Sequence, residues 1–284
     1  SVRRWDGTGG ETLGGVPLDR SVASNTRQGS IAIGPEDGEP RVSFLENDGT
    51  VTLHVLQWTG TAWPEYGTGI VSSYFWAPNA LAVGPSDVPV VAWRDVANDL
   101  RVSQWNGTAW APVGGVLDVL ATETPDGPSV VVGSAGTILV GWNEIDPTYG
   151  SGSNAYVARF DSLSSSFVRL GDALDVDIAL DAYYPDLAVA TDGTLVVAWG
   201  EYDFGNGVSE GRGYVARWTG TRFQPIGPEV GAGLGATTNY PQLEGGFDSD
   251  KMKADNLNAR PFDDSLLRRY DKDSAPQSDF VAKV

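Results

Sequence analysis

Short apolar runs recur along the chain in pairs, each pair joined by a tight polar turn. The clearest copy is Leu187-Ala188-Val189-Ala190, then Thr191-Asp192-Gly193, then Thr194 to Trp199. Others span Ser30–Phe44, Leu81–Trp93 and Val130–Trp142. The second run of the clearest pair, Leu195-Val196-Val197-Ala198-Trp199, is apolar at odd and even positions alike. A half-exposed strand alternates, so this one is expected to be covered on both faces. Asp-Gly, Asn-Gly and Thr-Gly dipeptides supply the positive φ that two-residue hairpins need.

A second pattern alternates with the first: an aromatic, a small polar turn, a second large hydrophobic residue and a closing glycine. It reads Trp58-Thr59-Gly60-Thr61-Ala62-Trp63 with Gly67, and Trp105-Asn106-Gly107-Thr108-Ala109-Trp110 with Gly114. It returns as Trp218-Thr219-Gly220-Thr221-Arg222-Phe223 with Gly227, with a degenerate copy from Phe160 through Phe167 to Gly171. Counting from Trp5, the leading aromatics fall at 58, 105, 160 and 218. A period of this size predicts a repeat architecture, here with four short strands per unit. Sheets stacked radially cover both faces of their inner strands, because each packs between two neighbours. The expected fold is all-β, a β-propeller of four-stranded blades. A parallel β-helix is the alternative, but its shorter rungs lack these hairpin turns.

Half units stand at both ends. Val2-Arg3-Arg4-Trp5 matches the third strand Val215-Ala216-Arg217-Trp218, and Asn239-Tyr240-Pro241-Gln242-Leu243 matches the first strand Tyr183-Tyr184-Pro185-Asp186-Leu187. They predict about five blades, the ring being closed by a composite blade from both termini. No second apolar run follows Leu243, and Phe280-Val281-Ala282-Lys283 resembles a third strand that Val2–Trp5 already supplies. Composition changes at the same place. Residues 1–244 contain no lysine or methionine, whereas Lys251, Lys253, Lys272, Lys283 and Met252 all lie beyond. Residues 1–244 are therefore expected to form the propeller. Residues 245–284 form an atypical C-terminal segment, read as an extension, a linker or a foreign segment.

The net charge of −18 and pI near 4.2 exclude nucleic acid as a partner, since its phosphates need a cationic footprint. A cation, a neutral glycan or a basic protein surface stays open. No apolar run approaches the roughly 18 residues of a membrane span, so no membrane insertion is expected. Cysteine is absent, which removes disulfides and thiol chemistry. His54, the single histidine, lies in Leu53-His54-Val55 and reads as a sheet residue rather than a base. Without a second histidine or any cysteine, the usual transition-metal and nucleophile–histidine sets are missing. No cofactor is expected. Glu46-Asn47-Asp48-Gly49 and Asp248-Ser249-Asp250 have calcium-like composition without EF-hand spacing.

The Val-Val-Ala-Trp strand, with Trp-x-Gly-Thr-x-Trp and a closing glycine, resembles repeats of large exported bacterial propeller proteins. More loosely, Trp105, Trp110, Gly114 and Gly115 are similar to the Trp…Trp…Gly-Gly pattern of bacterial propeller lectins. The resemblance covers residues 1–243. It implies a secreted or cell-surface bacterial protein and, through the lectins, a carbohydrate ligand.

Loop lengths orient the ring. Turns between first and second strands, and most between third and fourth, are short. The segments joining second to third strands (46–51, 95–100, 144–155, 201–213) and those joining blades are longer and more varied. In an up-and-down sheet the two longer sets emerge on one face, where binding is expected. Each second strand ends on that face as aromatic-x-acid: Phe44-Leu45-Glu46, Trp93-Arg94-Asp95, Trp142-Asn143-Glu144 and Trp199-Gly200-Glu201. Glu46, Asp95, Glu144 and Glu201 are read either as a polar rim for a ligand or as caps of their own loops, through backbone N–H groups or Arg101, Arg159 and Arg217. Among the loop aromatics, Tyr149, Tyr183, Tyr202 and Phe204 are further candidates, while Tyr184 and Tyr240, each before a proline, read as packing residues. The triplet Tyr74-Phe75-Trp76 is the best ligand platform, because no other repeat carries one there. The expected function is glycan recognition without catalysis. The alternatives are an adhesion module that binds protein and a carbohydrate-active hydrolase using paired carboxylates.

Overall fold

Both sequence patterns fold as strands, and every strand pairs antiparallel with its neighbour in the chain. The computed structural model describes residues 1–5, 9–15, 17–21, 24–149, 152–203 and 210–227. β1 (Val2–Trp5) and β2 (Gly10–Leu13) form a two-stranded sheet. Four four-stranded sheets follow. The first holds β3 (Asn25–Ile33), β4 (Pro40–Asn47), β5 (Val51–Gln57) and β6 (Ile70–Val71). The second holds β7 (Ala80–Val83), β8 (Pro89–Arg94), β9 (Leu100–Trp105) and β10 (Trp110–Val113). The third holds β11 (Asp126–Val132), β12 (Ile138–Ile145), β13 (Ser153–Asp161) and β14 (Ser166–Arg169). The fourth holds β15 (Asp181–Val189), β16 (Leu195–Asp203), β17 (Glu210–Trp218) and β18 (Phe223–Pro225).

The doubly apolar strands are sandwiched between sheets, which is why they do not alternate. In β8, Val90 and Ala92 pack toward the third four-stranded sheet with Val140, Trp142 and Tyr156. Val91 points the other way, against Leu45, Leu53 and Val55. Both valines are fully buried. Leu139 turns from β12 toward Leu187, Val197 and Trp199 of the fourth. Each such side chain removed from water contributes roughly 1.5–3 kcal/mol.

The aromatic–glycine signature latches one sheet to the next. Within a sheet the two aromatics meet across the turn that follows the third strand: Trp58 with Trp63 at 5.3 Å, Trp105 with Trp110 at 5.7 Å, Trp218 with Phe223 at 5.0 Å. The closing glycine of the preceding sheet lies against that pair. Gly67 has φ +69°, and a Cβ there would come 3.0 Å from Trp105. The Trp63 and Trp110 indoles donate to the carbonyls of Leu13 and Tyr66, each just before a closing glycine.

A bulge in three first strands completes the junctions. Gln28, Gly127 and Tyr184 all take positive φ (53°, 56° and 53°) where the register of β3, β11 and β15 shifts. Tyr184 packs over Gly127, where a Cβ would meet its ring at 2.9 Å, as expected of a structural residue. Just beyond the bulge, Ser129 Oγ accepts the Leu187 amide at 3.0 Å and donates to Asp186. Ser30 Oγ accepts the Leu81 amide in the same way. Ser129→Ala removes one of the two acceptors of the Leu187 amide, Asp186 Oδ1 at 3.1 Å being the other, and is expected to cost about 0.5–1.5 kcal/mol, measured as a shift of the urea midpoint with an unchanged m-value.

Five sheets stand among the described residues, and they do not close into a ring there. The first strand expected at 239–243 and the whole segment 245–284 lie outside the described residues.

Candidate functional site

Antiparallel order puts the second-to-third strand loops and the inter-sheet loops on one face, as the loop lengths suggest. Three of the four acids that end the second strands lie beneath that face rather than on it. Glu46, Glu144 and Glu201 are 2%, 1% and 0% exposed. Each holds the loop that leads into its own sheet. Glu201 accepts the Val176 and Asp177 amides at 2.6 and 3.1 Å, and Glu144 those of Leu120 and Val119 at 2.7 and 2.8 Å. Glu46 accepts the Ser21 and Arg20 amides at 2.7 and 2.9 Å, with the Ser24 hydroxyl. The aromatic two residues earlier shares the strand face, so the Trp142 and Trp199 indoles donate to the same carboxylates. Phe44 has no donor, and Ser24 takes that place.

Asp95 is one methylene shorter and does something else. It caps its own turn through the Ala97 and Asp99 amides and pairs with Arg101 at 2.8 Å, while Trp93 donates to Ser103. Arg217 bonds Gln224. His54 sits in β5 with Nδ1 2.7 Å from Glu65 and Nε2 3.6 Å from Glu46. In the turn after Glu46, the Asn47 and Asp48 side chains accept the Gly49 and Thr50 amides. Among the described residues no three His, Asp or Glu side chains are placed to hold a metal ion. Asp248 and Asp250 lie outside them, as do Phe204 and Tyr240.

Electrostatics beneath the loops follow from burial. It acts to raise the Glu46 carboxyl, but the Ser24 hydroxyl, the Arg20 and Ser21 amides and His54 outweigh it and hold the group below its usual range. At Glu201 burial wins over the same kind of donors and the carboxyl is raised. Asp118 and Asp175 each directly precede an amide held by the next sheet's glutamate. Burial and the neighbouring Asp99 and Glu144 carboxylates push Asp118 up to about 6. Burial, with Glu201 and Asp146 close by, pushes Asp175 up to about 7.

The aromatic triplet is on the surface of this face. Tyr74 and Trp76 are each 50% exposed, while Phe75 turns inward against the Leu45–Val91 cluster. Two arginines from different sheets stack on the exposed rings. The Arg27 guanidinium lies 3.3 Å from the Trp76 ring centre, and that of Arg94 lies 5.5 Å from Tyr74. Beside Tyr74, Arg94 Nη1 is 3.9 Å from Asp126 Oδ1, too long for a hydrogen bond. Arg94 Nε, Asp126 Oδ1 and Ser73 Oγ are buried without a hydrogen-bond partner among the described residues. The sequence reading pointed to the triplet. It did not single out Arg27, Arg94 and Asp126, whose only signal is polarity at strand positions, or Ser73 in the loop before the triplet.

No protein-family model matches the chain, and no curated protein does. Solved structures do. An α-L-arabinanase of Penicillium chrysogenum in complex with arabinobiose aligns at a TM-score of 0.51 and 12% identity, over 77% of this chain and 71% of the other. The GH93 α-L-arabinofuranosidase of Fusarium graminearum, also with arabinobiose, aligns at 0.51 and 10%, over 77% and 70%. A mutant Aleuria aurantia lectin with α-methyl-L-fucoside aligns at 0.51 and 17%, over 80% and 68%. The fold is a β-propeller. At these identities the likeness is one of fold alone.

On the opposite, short-turn face of the propeller, a cavity of about 650 Å³ opens between the first two four-stranded sheets. Asp37, Arg41, Gln57, Tyr66, Asp87 and Trp105 line it. Arg41 stands where the equivalent strands carry Val90, Leu139 and Val196, a charge at a core position that the sequence displays openly. Its guanidinium is 1% exposed and bound by Asp37, with Tyr66 at 3.4 Å and Asp87 at 3.9 Å. The cation is already neutralised from within.

Proposed function

We propose that this propeller binds carbohydrate through its long-loop face, with Tyr74 and Trp76 as the stacking platform. The observation that carries the reading is the pair of half-exposed rings on the loop face, each with an arginine guanidinium against it. A sugar presents an apolar ring face to an aromatic and hydroxyls to polar groups around it. Both halves of that requirement meet here. The saccharide ligands in the arabinanase and lectin structures support the same class. Glu46, Glu144 and Glu201 act in this reading from below, by fixing the loops that present the platform. As part of the proposal the protein works outside the bacterial cell or at its surface, without catalysis.

A glycan array run with calcium and again with chelator tests this. Reproducible binding to one saccharide class, weakened at least fivefold by Trp76→Ala and by Tyr74→Ala, is the expected result. A blank array under both conditions would count against carbohydrate and in favour of an adhesion module for protein partners. A hydrolase reading draws on one specific feature, the Asp175 carboxyl, raised to about 7 near Glu201. Release of sugar from an arabinan, abolished by Asp175→Asn, would replace binding with catalysis.

A further inference from the structure

We infer that the saccharide taken at the Trp76 platform is an acidic one, whose carboxylate or sulfate is received by Arg27. The inference rests on the carbohydrate reading and adds the ligand's charge to it.

Arg27 is exposed in β3, on a protein whose carboxylates outnumber its cations. Its neighbours in such a protein would be expected to neutralise it. Among the described residues, however, its guanidinium has neither an ion pair nor a hydrogen bond, and its contacts are the Trp76 ring at 3.3 Å and the Phe75 ring at 5.5 Å. With its central carbon 3.3 Å from the indole centre and no hydrogen bond among the described residues, the guanidinium has its N–H fork to offer. That fork suits the paired oxygens of a carboxylate or sulfate, and stacking removes much of the side-chain freedom that binding would otherwise have to quench.

The arrangement is fixed by the backbone on both sides. Arg27 directly precedes the bulge at Gln28, whose positive φ breaks the regular register of β3. Gln28 Nε2 donates to the Trp76 carbonyl at 2.9 Å, and Asn79 Nδ2 donates to the Gln28 carbonyl at 2.6 Å. The fork and the ring it rests on are thus tied to each other across the junction of two sheets. Arg94 on Tyr74 adds a second guanidinium to the same ledge, itself near Asp126. The protein's overall negative charge does not prevent anion capture here, since charges more than about 8 Å away are largely screened at physiological salt.

The test compares three tetrasaccharides by calorimetric titration of the whole chain: oligogalacturonate, its fully methyl-esterified form and a sulfated galactan fragment. Esterification keeps the rings and removes the charge. The expected result is at least tenfold tighter binding of one charged form than of the ester, weakening as sodium chloride rises from 50 to 300 mM. Arg27→Gln should abolish that preference, Arg27→Lys should restore it in part, and Arg222→Ala, in an exposed turn on the opposite face, should leave it intact. The two charged probes separate a carboxylate receptor from a sulfate receptor. Equal binding of ester and acid, or a preference that survives Arg27→Gln, overturns the inference while leaving the carbohydrate reading in place. No binding of any of these, together with a blank array, overturns both.

Discussion

Replacing Glu201 with alanine is expected to lower stability by about 3–5 kcal/mol, the range seen when one member of a buried charge-assisted set is removed. The carboxylate is fully buried and accepts three donors, the Val176 and Asp177 amides and the Trp199 indole. Alanine leaves all three without a partner and opens a cavity beneath the inter-sheet loop. Glu201→Gln keeps one acceptor oxygen but points an N–H₂ group at a donor, so it should recover only part of the loss. Asp95→Ala is the contrast. That side chain caps its own turn at a partly open site, and about 1 kcal/mol is expected. Urea unfolding followed by tryptophan fluorescence measures all three, and a loss near 4 kcal/mol corresponds to a melting point lower by roughly 10 °C. Equal small effects at Glu201 and Asp95 would mean that the buried acids do not hold the loops.

Stability should also rise as the solution is acidified from pH 8 to about pH 4. A carboxyl whose folded pKa lies above its unfolded value near 3.8 contributes stability that is complete below that value and is lost as pH climbs through the folded one. Asp118 and Asp175 are pushed up to about 6 and about 7 in the folded protein, so the loss is spread between about pH 4 and 7. The Asp175 difference, about three pH units, sets an upper bound near 4 kcal/mol. Partial exposure of the side chain reduces this to roughly 1–2 kcal/mol. Asp37, Asp146 and Glu46 work in the other direction. Arg41 beside Asp37 lowers its carboxyl, and bonds from Thr148 and Tyr156 outweigh burial at Asp146. Their stability is present above the unfolded value and is lost below about pH 4. The profile should peak near pH 4. Asp175→Asn should stabilise the protein at pH 8, leave it little changed near pH 4 and flatten the slope between. An unaltered slope in that variant would assign the pH dependence elsewhere.

The division between legible and illegible residues follows from range. Strand order, sheet number among the described residues and the inward turn of Val90 and Val91 could be read from apolar runs, because burial on two faces leaves its mark residue by residue. The Trp58–Trp63 pair and its glycine were legible for the same reason, since a recurring contact imposes a recurring spelling. The aromatic-x-acid motif was equally visible, yet its meaning was not. The sequence marks Glu144 and Asp95 as equivalent, but one methylene separates a side chain that reaches an inter-sheet loop from one that caps its own turn. Burial of the glutamates and the three donors each receives exist only once neighbouring elements are packed.

By itself, the sequence determined that the chain is built of repeated antiparallel sheets, that their inner strands are covered on both faces, and that the variable loops share one face. Each of these is a local pattern copied along the chain. Only the tertiary structure decided that three of the four acids lie inside the wall, that Arg41 lines a cavity on the other face, and that Arg27 rests on Trp76. Those outcomes depend on the angle between adjacent sheets and on a bulge that re-aims one side chain. Such geometry joins residues far apart in sequence and leaves no periodic trace.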